Sequence, residues 1–255
     1  MSLEIIGPYP FWNIMHDRLK NTRPDLCNKN ILLCINDFIS KPSYKTIVWL
    51  HESPALLKDL INYIKKNNNE FVDSSIYTCI DDLQHFSFVK NIHPSNITWI
   101  SKTLYLPPKS KLISMISSNK NFTIGHHIRH NFILNLPICV DLYGKGFNPI
   151  ENKIEGLKDY CFSIAIENDN TNSYFTEKLL DCFLTCTIPI YWGCQKVSSI
   201  FNNDGIIWLD DIQDICSLSY EDYTKHLPAI KENYEIALNQ NINPFESLIK
   251  ILEEN

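Results

Sequence analysis

Arginine is scarce in this 255-residue chain: Arg18, Arg23 and Arg129 are the whole set, and lysine carries the rest of the positive charge. Few side chains can therefore offer a planar, bidentate fork to a phosphate. With a formal net charge of −6, a broad nucleic-acid footprint is excluded as well. Glycine is rare, at seven residues, and no G-x4-G-K-[ST] run occurs, which excludes a P-loop nucleotide site. No run of about 18 apolar residues is present, so no membrane-spanning helix is expected. The opening MSLEIIGPYPFW has neither a basic start nor a continuous apolar core, so no signal peptide is expected. Closely spaced acidic residues of the Asp-x-Asp kind are also missing. Asp81–Asp82 and Asp210–Asp211 are adjacent pairs that read as strand-end or turn residues.

What is present is ordinary for a globular protein: 44% hydrophobic and 20% charged residues, in a chain long enough for one large domain or two small ones. The nine cysteines are odd in number, contain no CxxC pair and lie partly in apolar runs. That pattern suits free, buried thiols in a reducing compartment better than a disulfide framework. A cytoplasmic protein is expected, and in that compartment the sequons at Asn96 and Asn121 carry no information.

Hydrophobic patterning alternates strand with helix. NILLCIND (30–37), TIVWLHES (46–53), SSIYTCIDD (74–82) and NITWI (96–100) read as strands, and ALLKDLINYIKK (55–66) as an amphipathic helix after Pro54. LYLPPKSK (104–111) is stiffened by two prolines and marks the boundary. Beyond it, strands are expected from 111, over 138–146, 160–168, 187–193 and 205–211, with helices over 126–136 and 176–186. The C-terminal helical stretch is expected to be interrupted at Pro228 and Pro244. This is an α/β pattern of two βαβ halves, domains 1–106 and 107–255, each with a parallel sheet and with ligand in the cleft between them. In such sheets ligands sit at the carboxyl ends of the strands, where helices begin.

The stretch YFTEKLLDC (174–182) lies at such a place. Thr176 reads as the N-cap of a helix whose apolar face holds Leu179, Leu180 and Phe183. Glu177 suits the positive end of the helix dipole. Lys178 does not, and a cation there costs a few tenths of a kcal/mol, up to ~1. Either it is solvated, or an anion binds there.

The segment from Tyr160 to Gly193 resembles the donor-binding motif of glycosyltransferase family ten, the α1,3/4-fucosyltransferases. The matching pieces are Glu167–Asn168, Tyr174–Phe175–Thr176–Glu177–Lys178, and Ile188–Pro189 with Gly193. WLHESP (49–54) is similar to the family's Glu-Ser-Pro segment, whose glutamate is proposed as general base; here that is Glu52. Residues 113–132 are similar to the strand-loop-helix that delivers an arginine to the donor diphosphate; here that is Arg129, in a Gly-His-His-x-Arg setting unlike that of the animal enzymes. The resemblance covers residues from about 46 to 211. It implies a two-domain GT-B fold, a GDP-sugar donor, usually GDP-fucose, and inversion at the anomeric carbon.

On that footing the expected activity is an inverting, α1,3-fucosyltransferase-like glycosyltransferase that moves fucose from GDP-fucose to a hydroxyl of a glycan or glycoconjugate acceptor. Without an acidic metal motif, cations and helix N-termini must neutralise the departing diphosphate. Arg129 and Lys178 are the candidates, which turns the cost of the lysine into a gain. No cofactor is expected, and a divalent metal would at most stimulate. Glu177 is assigned to ribose or sugar hydroxyls, because a carboxylate near an anionic donor is otherwise repelled. Glu167 and Asn168 do similar work or cap the loop, Tyr174 shields the base or phosphate, and Glu52 takes the acceptor proton. Taken singly, each of these residues is an ordinary cap, first-turn acid or solvated lysine. His126 and His130, four apart, read as packing or donor-loop residues rather than zinc ligands, and Tyr191 and Trp192 as core. No nucleic-acid partner is expected, and peripheral membrane association stays open. The rival readings are a transferase of the same fold using another nucleotide sugar, and a non-catalytic sugar-nucleotide or glycan-binding module.

Overall fold

A computed structural model describes residues 3–8, 11–39, 44–92, 98, 100, 108–212, 214–240 and 244–255. The chain forms two compact units, Met1–Pro94 with Asn243–Asn255, and Ser95–Ile242. The expected division at 106/107 and most of the expected strand at 96–100 lie outside the described residues.

In the first unit five strands run parallel in sequence order: β1 (Glu4–Ile6), β2 (Ile31–Ile35), β3 (Lys45–Leu50), β4 (Ser75–Thr78) and β5 (Val89–Asn91). Both faces are covered, so β2 reads as an unbroken apolar run whose alternate residues serve two cores. Leu33 and Ile35 pack with Trp12, Met15 and Leu19 of α1 (Phe11–Thr22). Leu32 and Cys34 pack with Ile61 and Ile64 of α3 (Lys58–Lys66), which follows the short α2 (Pro24–Cys27).

Sequence reading assigns the last residues to the second half, but Asn243–Asn255 groups with the first. The reason lies in α7 (Pro244–Glu253), whose Phe245, Leu248, Ile251 and Leu252 are buried in the same cluster as α1 and β2. Local periodicity announces a helix here; it cannot say which sheet the helix covers.

The second unit is a parallel sheet of order β10-β9-β8-β6-β7. Its strands are β6 (Lys111–Ile116), β7 (Val140–Tyr143), β8 (Tyr160–Ile166), β9 (Ile188–Trp192) and β10 (Ile207–Trp208). Helices α4 (Ile124–Leu134), α5 (Glu177–Leu184) and α6 (Tyr220–Gln240) connect or follow them. Every residue of β8 and β9 is buried, as central parallel strands require.

Two expectations need correction. Pro228 does not interrupt α6 but sits inside it, although such a residue costs about 3 kcal/mol. Burial of Ala229, Ile230 and Ala237, and the Asn233 side chain bonded to both the N–H and the carbonyl of Asn202, hold the helix through that position. The cysteines are not all free: Cys139 and Cys216 form a disulfide across 77 residues of sequence, with Cα atoms 5.8 Å apart. Neither an odd count nor a missing CxxC bears on a pair that only the fold brings together. The other seven are free thiols, six of them buried.

Candidate active site

The site is built where β8 leaves the sheet. Glu167 follows its last residue and stays in register with β9, its N–H bonded to the Trp192 carbonyl at 2.9 Å. Space around it is confined. A Cβ on Gly193 would lie 2.7 Å from Glu167 Cγ, and one on Gly125 would lie 1.8 Å from the Glu167 carbonyl oxygen. Only glycine lets the first turn of α4 approach the strand exit so closely, and the Gly125 N–H bonds to the Asn168 carbonyl at 3.2 Å.

The Glu167 side chain is fully buried. Its Oε1 accepts the Thr176 N–H and its Oε2 the Thr176 hydroxyl, both at 2.7 Å, and Lys178 Nζ stands 3.3 Å from Oε2. Of the two roles open to Glu167, this geometry speaks for the structural one: it fastens the start of α5. Thr176 is the N-cap, its oxygen accepting from Lys178 N and from Lys178 Nζ at 3.0 Å.

Arg129 reaches the same place from α4. Its Nε donates to the Gly125 carbonyl at 3.1 Å and its Nη2 to Asn168 Oδ1 at 2.6 Å. Nη1 makes no hydrogen bond among the described residues, although the residue is only 5% exposed. Burial lowers its pKa, while Glu167, Tyr174 and Glu177 work the other way; a guanidinium remains charged throughout. Half-fixed and with a donor to spare, it is set up for an anion.

Lys178 also lies 3.6 Å from Glu177 Oε1. Burial disfavours its ammonium, but Glu177 and Glu167 outweigh that and raise its pKa. Burial likewise pushes the Glu177 carboxyl up, and Lys153 and Lys178 overturn this, holding it well below the usual carboxylate range. Both groups are therefore ionised at neutral pH. Tyr174 is buried, its N–H bonded to the Thr171 carbonyl at 3.3 Å. Its phenol lies close enough to Arg129 to act on the guanidinium charge.

Seven predicted residues thus converge in one unit: Arg129, Glu167, Asn168, Tyr174, Thr176, Glu177 and Lys178. Glu52 belongs to the other unit, just beyond the end of β3, and is half-buried. There the Asn36 side chain accepts the N–H groups of His51 and Glu52 at 2.9 and 3.3 Å. His126 is the capping-box partner of Thr123 at the start of α4, and Tyr191 and Trp192 are core. Among the described residues no group of three or more His, Cys, Asp or Glu is placed to hold a metal ion.

Sequence reading misses Lys153, from the short turn Lys153–Gly156 that precedes β8. Its Nζ lies 3.1 Å from Glu177 Oε1 and 3.6 Å from Asp181 Oδ2. A signal did exist. Glu177 and Asp181 are like charges four apart on one helix, an unfavourable pair unless a cation stands by.

Two parallel-sheet units, one gathering cations and carboxylates at its strand exits, define an α/β protein of the GT-B glycosyltransferase class. Solved structures of an alpha1,3-fucosyltransferase share this architecture. Its GDP complex superposes with a TM-score of 0.54 at 18% identity, covering 99% of this chain and 90% of that one. Its GDP-fucose complex gives 0.51 at 17%, covering 99% and 89%. In sequence, the chain is 35% identical over 176 residues to an alpha-(1,3)-fucosyltransferase of Helicobacter pylori, covering 66% of this chain and 34% of that relative's length. The family model described as glycosyltransferase family 10 (fucosyltransferase), C-terminal part, matches residues 106–237, more than half of the chain. The chain belongs to glycosyltransferase family 10.

Proposed function

We propose that this protein transfers fucose from GDP-fucose to a hydroxyl of a glycan acceptor, with inversion at the anomeric carbon. The observation that carries the reading is the pair Arg129 and Lys178 at the exit of β8, one with an unused guanidinium nitrogen and the other an ammonium on a helix start. Such a pair offers one fork and one point charge to a diphosphate. GDP and GDP-fucose in the structural relatives are ligands of that chemistry.

In the proposed reaction the acceptor oxygen attacks the anomeric carbon as the bond to the diphosphate oxygen breaks. GDP leaves with the electron pair, its developing charge met by Arg129 and Lys178. Glu52 takes the acceptor proton, a role worth roughly 10²–10⁴-fold when the base is positioned. Glu177 accepts donor hydroxyls. No metal enters the scheme: turnover should survive EDTA, and complete loss restored by manganese would overturn that point. The compartment proposed is the cytoplasm, on the strength of six buried free thiols; the Cys139–Cys216 bond counts against it.

The test is thermal stabilisation by a panel of nucleotides and nucleotide sugars. A ligand at 100 times its dissociation constant stabilises by about 2.7 kcal/mol. GDP and GDP-fucose should stabilise more than UDP or UDP-sugars, and equal stabilisation by the UDP series would sink the donor assignment. Product analysis with an acceptor panel then reads the linkage.

A further inference from the structure

We propose that Lys153 is a positioning residue for the donor: it fixes the Glu177 carboxylate so that one oxygen is free to accept a donor hydroxyl. The inference rests on the donor reading above. Lys153 and Lys178 both approach the same oxygen of Glu177, Oε1, at 3.1 and 3.6 Å. Oε2 is the oxygen that neither lysine approaches most closely. A carboxylate clamped at one oxygen presents the other in a fixed direction, which is what reading a particular hydroxyl requires.

Lys153 also stands 3.6 Å from Asp181 Oδ2, one helical turn further along α5. Asp181 is buried, so its charge needs a cation at hand. Lys153 is therefore held from two sides, across 24 residues of sequence from Glu177. Without it, Glu177 and Asp181 repel each other as an i,i+4 pair, and Lys178 becomes the nearest cation to Glu177. The lysine assigned to the diphosphate, already 3.3 Å from Glu167 and 3.6 Å from Glu177, would then be drawn further toward Glu177. One residue thus serves both recognitions: it keeps Glu177 aimed and Lys178 available.

The hydroxyl can belong to the ribose or to the transferred sugar, and the probes separate these. Affinities for GDP, 2′-deoxy-GDP, 3′-deoxy-GDP and GDP-fucose are measured by calorimetry for the wild type, Lys153→Met, Lys153→Arg and Glu177→Gln. Wild type should prefer GDP over one deoxy analogue by about tenfold, the scale of one hydroxyl–carboxylate hydrogen bond. In Lys153→Met that preference should fall to about twofold or less, as it should in Glu177→Gln, and Lys153→Arg should restore it. If instead the gap between GDP-fucose and GDP closes in Lys153→Met, the hydroxyl is the sugar's and the positioning role stands.

Unchanged discrimination on both comparisons in a folded Lys153→Met protein would overturn the proposal. So would loss of discrimination in Lys153→Met while Glu177→Gln retains it. Failure of wild type to bind GDP is a different result, and it strikes the donor reading rather than Lys153. A general loss of packing lowers all affinities together and leaves their ratios alone, so the ratio separates positioning from mere stability.

Discussion

Glu167 and Thr176 are joined twice, the backbone N–H to Oε1 and the hydroxyl to Oε2, each at 2.7 Å, at the point where a strand exit meets a helix start. Lys178 completes the arrangement 3.3 Å from Oε2. A buried carboxylate with such partners cannot be removed without leaving two donors unmatched and a largely buried cation with Glu177, 3.6 Å away, as its remaining carboxylate. Glu167→Ala should therefore destabilise the fold by about 3–5 kcal/mol, read by urea unfolding. A loss below about 1 kcal/mol would mean that the carboxylate does not fasten this corner.

Removing either cation tests the diphosphate site. Arg129→Ala and Lys178→Ala each delete a charge-assisted contact worth roughly 1.5–3 kcal/mol. GDP affinity should fall about tenfold or more for each. Lys178→Ala also strips Glu167 of its cation, so it should lower the melting temperature. Binding must therefore be measured well below that temperature. Unchanged GDP affinity in both variants would move the diphosphate elsewhere.

Legibility from sequence followed the range of the interactions. Thr176 as N-cap and Leu179, Leu180 and Phe183 as a buried helix face are local facts, and the spacing of residues 174–183 encodes them. The convergence of Arg129 with Asn168 is separated by 39 residues, and it was reached through family resemblance rather than periodicity. Long-range choices without a motif stayed hidden. Examples are the docking of α7 with the first sheet, the Cys139–Cys216 bond, and Lys153 reaching Glu177 from a loop. Helix α6 shows the converse: the local signal of Pro228 was clear, and buried Ile230 and Asn233 overrode it.

Glu52→Gln should separate chemistry from donor binding. The substitution keeps shape and removes basicity. Turnover should fall by about 10²-fold or more, while GDP affinity stays near wild type. Near-normal turnover would place the base elsewhere, and loss of GDP binding would contradict the assignment of Glu52 to the acceptor.

Thiol counting decides the cysteine chemistry. In denaturant without reductant, seven cysteines should react with a thiol reagent, and all nine after reduction. Reduction, or Cys139→Ser, should cost roughly 2–5 kcal/mol of stability, as expected for a bond closing a long loop. Nine reactive thiols at the outset would remove the bond and strengthen the cytoplasmic reading.

Acid should loosen the same site through His126. This side chain is 3% exposed, and its Nδ1 accepts the Thr123 N–H at 3.2 Å, closing the cap of α4. Burial, with Arg129, Lys120 and Lys178 nearby, lowers its pKa from 6.5 to about 4. The unfolded chain takes up a proton near pH 6.5 while the fold resists until about pH 4. The stability contributed by the neutral ring is thus complete above pH 6.5 and is lost progressively as pH falls to about 4. At about 1.4 kcal/mol per unit, roughly 2 kcal/mol should be gone by about pH 5. His126→Gln can close the same capping box without titrating, so its urea stability should fall less between pH 7.5 and 5 by about that amount. Equal acid sensitivity in the two proteins would show that His126 is not the group responsible. Bound GDP should shrink the wild-type loss, because the diphosphate offsets the cations that help keep the ring neutral and so brings its folded pKa back toward the unfolded value.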